Sequence, residues 1–121
     1  MLLAWASASL HAACRSGDAL SARWPDDSDA AKLLLSAITH AQDLREVSEL
    51  RSVTVTPPRT TTPEVGVSLE EVVLKALVLT PPGHHVEPVP PEQFWSRAAG
   101  ATALMVLDMQ ARGLALVRTA S

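Results

Sequence analysis

Apolar residues recur at alternating steps of three and four along residues 2–23, which is the spacing of a helix with one apolar face. That face would comprise Leu3, Ala6, Leu10, Ala13, Gly17, Leu20 and Trp24. Gly17 followed by Asp18 is also the pattern of a helix end followed by a new N-cap, so a helix broken here is the alternative. Pro25 ends the segment, because the residue before a proline disfavours the helical conformation.

A second helix is predicted over residues 28–52, where alanines and leucines again form a stripe at helical spacing. Asp26, Asp27 and Ser28 stand just before or at its start and are residue types that cap helix N-termini. Because the intervening turn is short, we expect the two helices to pack as an antiparallel hairpin.

A third helix is predicted at residue 68, where Ser68 and Glu71 have the spacing of a capping box. Apolar residues follow at helical spacing as far as residue 79. A β-strand over residues 72–79 is the competing interpretation, because valines are frequent there and favour strands.

The last helix is predicted from Pro91, which suits a first helical turn, to Arg112, which precedes a glycine. Residues 98–107 are apolar nearly all round, which is typical of a buried helix.

Proline-rich segments separate these helices and cannot themselves be helical. Residues 53–56 and 114–117 are β-prone and could pair as a short two-stranded sheet. The predicted fold is therefore mainly α, with four helices in two hairpins joined by extended Pro-rich straps. The expected division is an N-terminal hairpin, a Pro/Thr-rich linker or strap and a C-terminal hairpin with a Pro-rich loop, together one compact domain. The N-terminal hairpin would span residues 1–53, the linker or strap residues 54–67 and the C-terminal hairpin residues 68–121.

The composition indicates a coding sequence rich in G and C: the chain has no Asn, no Tyr and two Lys, against eight Arg and nineteen Ala. Alanine buries little area, so Ala-rich helices form a thin core at roughly 25 cal/mol per Å² of apolar surface. A thin core in a chain that is 47% hydrophobic suggests that some apolar surface faces a partner.

Charge and cysteine content exclude several classes of protein. The formal net charge is −3 and no basic run is present, so we expect no nucleic-acid binding. Cys14 is the only cysteine, which excludes an internal disulfide and fits a reducing, cytoplasmic location. The longest uncharged apolar stretch, 98–107, is too short to span a bilayer, so no membrane association is expected.

The one cluster of ligand-type residues is His84, His85 and Glu87, between two groups of prolines. Structural or catalytic zinc needs at least three convergent protein ligands, and a short strap supplies too few fixed ones. His11 and Cys14 could meet on one helix, but nothing supplies the third group that activates a nucleophile. We therefore assign no catalytic, cofactor-binding or metal-ligating residue and expect no cofactor.

Adjacent aromatics on a helix point to different faces, so Phe94 and Trp95 have different expected roles. Phe94 is expected in the core. Trp95 is expected at an interface, on a helical face shared with Ala99, Val106 and Met109.

These observations favour a small non-catalytic protein–protein interaction or assembly module, such as an adaptor, a regulatory subunit or a component of a larger particle. The expected partner is another protein or a second copy of the chain. One alternative is a small enzyme or accessory subunit whose site uses His84, His85 and Glu87. A second alternative is a helical regulator that binds a ligand or nucleic acid.

Overall fold

The chain forms a mixed β-sheet of five main strands and a two-residue sixth, with short helices packed on one face, so the mainly α class expected from the sequence is wrong. The structure is a computed structural model, and it describes residues 1–15, 17–80 and 85–112 and the backbone of Leu114 and Ala115. The strands are β1 Leu2–Trp5, β2 Thr54–Thr56, β3 Glu64–Leu69, β4 Val72–Leu79, β5 Ala103–Ala111 and the two-residue β6 Leu114–Ala115. The helices are α1 Ala8–Cys14, α2 Gly17–Arg23, α3 Ser28–His40, α4 Leu44–Ser48, a 3-10 turn Pro91–Gln93 and α5 Phe94–Ala98.

The strand order is β1-β5-β4-β3-β2, which places the first two strands of the chain at opposite edges of the sheet. β2 to β5 form an antiparallel meander, whereas β1 runs parallel to β5. β6 pairs with the end of β5 and continues the edge that β1 occupies. Because α1 to α4 connect one edge strand with the other, they cross the sheet, and α3 lies against β3 and β4.

The predicted first helix over residues 2–23 is three elements, a strand and two helices. Leu3 and Trp5 are two residues apart and pack on the same side of β1 against the core, as alternation in a strand requires. Ser7 then caps α1, because its hydroxyl oxygen accepts a hydrogen bond from the amide of Leu10 at 3.1 Å. The break considered at Gly17 is present, since α2 begins there.

The predicted second helix over residues 28–52 is also broken, into α3 and α4. Asp27 is the N-cap residue of α3, within the group expected from the sequence, but its side chain makes no capping hydrogen bond. Asp43 starts α4 by accepting a hydrogen bond from the amide of Glu46 at 2.9 Å. These helices therefore form a layer over the sheet rather than one half of a helical bundle.

The predicted third helix is a β-hairpin, so the capping box is wrong and the competing interpretation, a strand over residues 72–79, is confirmed by β4. β3 and β4 pair from Leu69 with Val72, so Glu70 and Glu71 form a two-residue turn. Glu70 takes φ 54°, which lies in the left-handed region that such turns require. The hydroxyl of Ser68 donates to the carbonyl of Thr54 on the neighbouring strand and caps no helix.

The predicted helix from 91 to 112 ends at Ala98, and residues 103–107 of its apolar portion belong to strand β5. A β-bulge explains the misleading pattern: the register shifts opposite Lys75 and Ala76, which leaves Leu107 without a partner in β4. As a result Val106 and Met109 are both fully buried although they are three residues apart. That spacing also fits one face of a helix.

The proposed pairing of residues 53–56 with 114–117 is wrong for the residues that the structure describes. β2 pairs with β3, and Leu114 and Ala115 pair with the end of β5. Residues 116 and 117 lie outside the described part of the chain.

One hydrophobic core lies between the helices and the sheet, and it joins residues from α1 to the end of β5. The opposite side of the sheet, which we call the open face, carries no helix of the described chain. Alternation and register assign to it Leu2, Ala4, Thr54, Thr56, Glu64, Gly66, Ser68, Val73, Lys75, Leu77, Met105, Asp108 and Gln110. The helices that the structure describes therefore all pack on the other side of the sheet.

Candidate functional site

The predicted His/Glu cluster is a solvent-exposed pair beside a β-bridge. The Nε2 atom of His85 lies 2.6 Å from Oε1 of Glu87, and both side chains are about half exposed. The carbonyl of His85 accepts hydrogen bonds from the amide and the hydroxyl of Thr80, which fix this loop on the end of β4. His84 lies outside the described residues. Within the described ranges, no group of three or more His, Cys, Asp or Glu residues converges on a metal position.

His11 and Cys14 do not form the pair that their spacing permits. The ring of His11 stacks on Trp5, with the ring centroids 5.3 Å apart and nearly parallel. The Sγ atom of Cys14 instead contacts Sδ of Met109 at 3.4 Å. Burial raises the pKa of the Cys14 thiol to about 11, so the group stays protonated at neutral pH and is a poor nucleophile.

The four residues predicted to form an interface do not share one surface. Trp95 is 38% exposed and Ala99, just after α5, is half-buried, whereas Val106 and Met109 are fully buried in β5. Phe94 is fully buried, which confirms its expected place in the core. Only Trp95 and Ala99 of this set remain accessible to another molecule.

The edge strand β1 has an accessible apolar surface that sequence reasoning missed. Leu2 is 66% exposed, the highest value among the large apolar residues of the described chain. No charged side chain occurs before Arg15. Helical periodicity concealed this strand, because Leu3 and Leu10 also fit a helical face.

The hydrogen bonds of β1 define which backbone groups are available at the edge. The amides of Leu2 and Ala6 donate to the carbonyls of Thr102 and Val106, both at 2.9 Å. In a parallel pair, every second residue of a strand forms hydrogen bonds to the neighbouring strand, and the residues between them face the other way. The amides of Leu3 and Trp5 therefore point away from β5, towards the free edge. Outside the regular strand pairing, neither the amide of Leu3 nor the amide of Trp5 donates a hydrogen bond to another described residue.

The opposite edge, β2, is protected in ways that β1 is not. β2 is only three residues long, and Pro57 and Pro58 follow it directly. Short length and proline are devices by which natural proteins prevent pairing at a sheet edge. The two edges of the sheet therefore differ in their capacity to accept another strand.

A cleft of about 600 Å³ lies on the open face where β2, β3 and β4 meet the loop that follows β2. Its lining includes Arg59 and Lys75 together with the threonines of the loop. Two other arginines are placed elsewhere: Arg51 lines a different cavity, and Arg45 pairs with Glu49 at the end of α4. Arg45, Arg51 and Arg59 therefore do not form one basic surface.

Comparison with known proteins gives no relative from which a role could be transferred: no family model, no curated protein and no solved structure matches this chain. Among the described residues, every helix is too short or too polar to cross a membrane. The assignment of function therefore rests on the geometry of the sheet and its surfaces.

Proposed function

We propose that this protein is an assembly module that associates with a second copy of itself through the outer edge of β1. The observation that carries the proposal is an uncharged edge strand whose outer side is paired with no other described strand and whose first leucine is two-thirds exposed. An edge of this kind is a template for pairing with another strand.

A second copy is the partner that the chemistry of β1 favours. Two β1 strands related by a two-fold axis would pair antiparallel, with the amides of Leu3 and Trp5 donating across the junction. Because β1 carries no charge, such pairing brings no like charges together. The exposed side chain of Leu2 would then be buried against the neighbouring copy, on the side of the open face.

The neighbouring part of the open face extends this apolar surface. Ala4 lies opposite Met105, and Met105 lies opposite Leu77, so three half-buried apolar side chains adjoin one another from β1 to β4. Joining two sheets at β1 would place the two rows side by side and increase the apolar area available for further packing.

The test compares the molar mass of three proteins by light scattering at tens of micromolar (on the order of ordinary assay concentrations). Leu2→Lys adds a charge to the free edge, and edge lysines oppose strand pairing. Leu33→Lys is the matched control, since Leu33 is 59% exposed on the outside of α3. We expect dimers for the wild type and Leu33→Lys, and monomers for Leu2→Lys. A monomeric wild type, or equal masses for the two variants, contradicts the proposal.

A further inference from the structure

The cleft on the open face is built around a row of residues that cross-strand register places side by side. Thr56 of β2 lies opposite Gly66 of β3, and Gly66 lies opposite Lys75 of β4. Gly66 thus leaves a gap in the row, with a hydroxyl on one side and an ammonium group on the other. The loop that follows β2, which carries Arg59, lines the same cleft.

Glycine is not required at position 66 by the backbone. Gly66 has no left-handed φ, and a Cβ added there would meet its nearest atom, Cβ of Thr56, at an ordinary contact distance of 3.6 Å. A glycine inside a strand weakens it relative to alanine, and it often marks a place where a ligand approaches the backbone. The missing side chain is what opens the floor of the cleft.

The two cations of the lining are not neutralised by ion pairs. The four ion pairs formed within the described ranges involve other side chains, so no described carboxylate oxygen lies within 4.0 Å of Arg59 or Lys75. Asp108 is the cross-strand neighbour of Lys75 on β5, but its carboxylate accepts hydrogen bonds from the amide of Met109 and from Gln110. Lys75 is therefore left available to an anion.

Hydroxyl donors accompany the cations. Thr56, Thr60 and Thr62 all line the cleft. The hydroxyl oxygen of Thr60 accepts a hydrogen bond from the amide of Thr62, which holds the loop and leaves the hydroxyl hydrogen of Thr60 able to donate. Guanidinium, ammonium and hydroxyl groups around one space are the donors that a phosphate group attracts.

We propose that this cleft binds the phosphate group of a small phosphorylated molecule. The phosphate lies over Gly66, between Lys75 of the neighbouring strand and Arg59 of the loop. The cleft is much larger than a phosphate ion, so an organic part of the ligand fills the remainder beside Val73. Glu64 is the one carboxylate of the lining, and it accepts a hydrogen bond from a hydroxyl of that organic part.

The chain has only two lysines, Lys32 and Lys75, which makes the site directly observable. The protein is labelled with ¹³C-lysine, and the two ε-methylene resonances are followed by NMR during titration with inorganic phosphate at constant ionic strength, with chloride as the reference salt. Lys32 is the internal control, because it lies beside Asp29 and Ser21 on the helical side of the molecule. We expect a saturable shift of the Lys75 resonance and none of Lys32.

Two variants test whether the cleft itself is responsible. Gly66→Leu fills the floor and leaves every charge in place, and we expect it to abolish the saturable shift of Lys75. Arg59→Gln should weaken phosphate binding by roughly threefold or more, the order expected for one exposed charge. Arg97→Gln, on α5, is the matched control and should leave binding unchanged.

The organic part of the ligand is tested with glycerol phosphate as a second probe. We expect it to bind several-fold more tightly than inorganic phosphate in the wild type, and to lose this advantage in Glu64→Gln. Parallel, non-saturable shifts of both lysines, or an unchanged Lys75 response in a folded Gly66→Leu variant, overturn the phosphate site. Equal affinities for the two probes overturn the assignment of an organic part to the ligand.

Discussion

Arg112, at the end of β5, forms an ion pair with Asp27, the N-cap residue of α3, with Nε and Oδ2 separated by 3.2 Å. The carboxylate of Asp27 is largely buried, whereas Arg112 is mostly exposed. The hydrogen bond and charge of Asp27 raise the pKa of Arg112 above its already high value. The pair connects the sheet to the helical layer across 85 residues of sequence.

Breaking this pair should destabilise the fold. Arg112→Met leaves the Asp27 carboxylate without its partner in a mostly buried position, and we expect the free energy of unfolding to fall by more than in the control variant. Lys32→Met is the control: Lys32 lies 4.0 Å from the fully exposed Asp29, and the expected change is within about 0.5 kcal/mol. Urea denaturation of both variants measures the difference. Equal effects would mean that the Arg112 pair contributes no more than a surface contact.

The two adjacent aromatics of α5 should respond differently to truncation. Phe94 is completely buried, so Phe94→Ala removes a large core side chain and should cost about 3 kcal/mol or more. Trp95 is 38% exposed and touches Phe94 edge-on, so Trp95→Ala should cost about 1 kcal/mol. Thermal unfolding of the two variants distinguishes these values. Similar large losses would place both rings in the core.

The left-handed turn between β3 and β4 offers a stabilising substitution. Glu70 adopts φ 54°, where a side chain is strained, so Glu70→Gly should raise stability by about 0.5 kcal/mol. Ser68→Ala should change stability by less than about 0.5 kcal/mol, because the Ser68 hydroxyl makes only a long, exposed hydrogen bond. Chemical denaturation checks both values. A Ser68→Ala variant that loses about 1 kcal/mol, together with a Glu70→Gly variant that is destabilised, would contradict the hairpin and favour a capped helix at this position.

Cys14 should make the fold sensitive to alkaline pH. Its thiol titrates near the ordinary value of 9.0 when unfolded and at about 11 when folded. Between these values the unfolded chain has lost a proton that the folded chain retains, so stability falls as pH rises from 9 to 11. The chain has no tyrosine and two lysines, so few other groups titrate there. The decline in unfolding free energy should be shallower in Cys14→Ala, and identical slopes would contradict this role.

The sequence predicted the boundaries of helical segments correctly where a single residue determines the backbone conformation. Pro25 ends the first helical region, Asp27 precedes α3, and Pro91 begins a 3-10 turn. Each acts through its own φ or its own capping geometry, which neighbours along the chain do not change. Phe94 was placed correctly in the core, because adjacent aromatics on a helix point to different faces and the short helix α5 is present at this position.

The β-prone segments at β2, β4 and β6 were recognised, β4 only as an alternative to a helix, whereas β1, β3 and β5 were missed because the composition removes the usual markers of strands. Isoleucine, tyrosine and phenylalanine favour strands, and this chain has one Ile, no Tyr and one Phe. β5 is instead built from Ala, Leu, Met and Val, most of which are good helix formers. The bulge at Leu107 then changes the two-residue alternation into a spacing that also suits a helix.

The surfaces proposed to be functional depend on contacts between distant segments. β1 becomes an edge strand only because it pairs with β5, about a hundred residues away in the chain. Thr56, Gly66 and Lys75 become neighbours only through the register of three strands. Nothing in the local sequence around these residues specifies that register, so neither the edge nor the cleft was predicted.

Concentration-dependent amide hydrogen exchange tests the proposed assembly most directly. The amides of Leu3 and Trp5 point away from β5 and are expected to be bonded only in the dimer. Their protection should therefore rise as the protein concentration is raised from about 1 to about 100 µM, across the range in which weak dimers form. The amides of Leu2 and Ala6, which are bonded to β5, should not change. Exchange at Leu3 and Trp5 that is fast and independent of concentration would contradict assembly through β1.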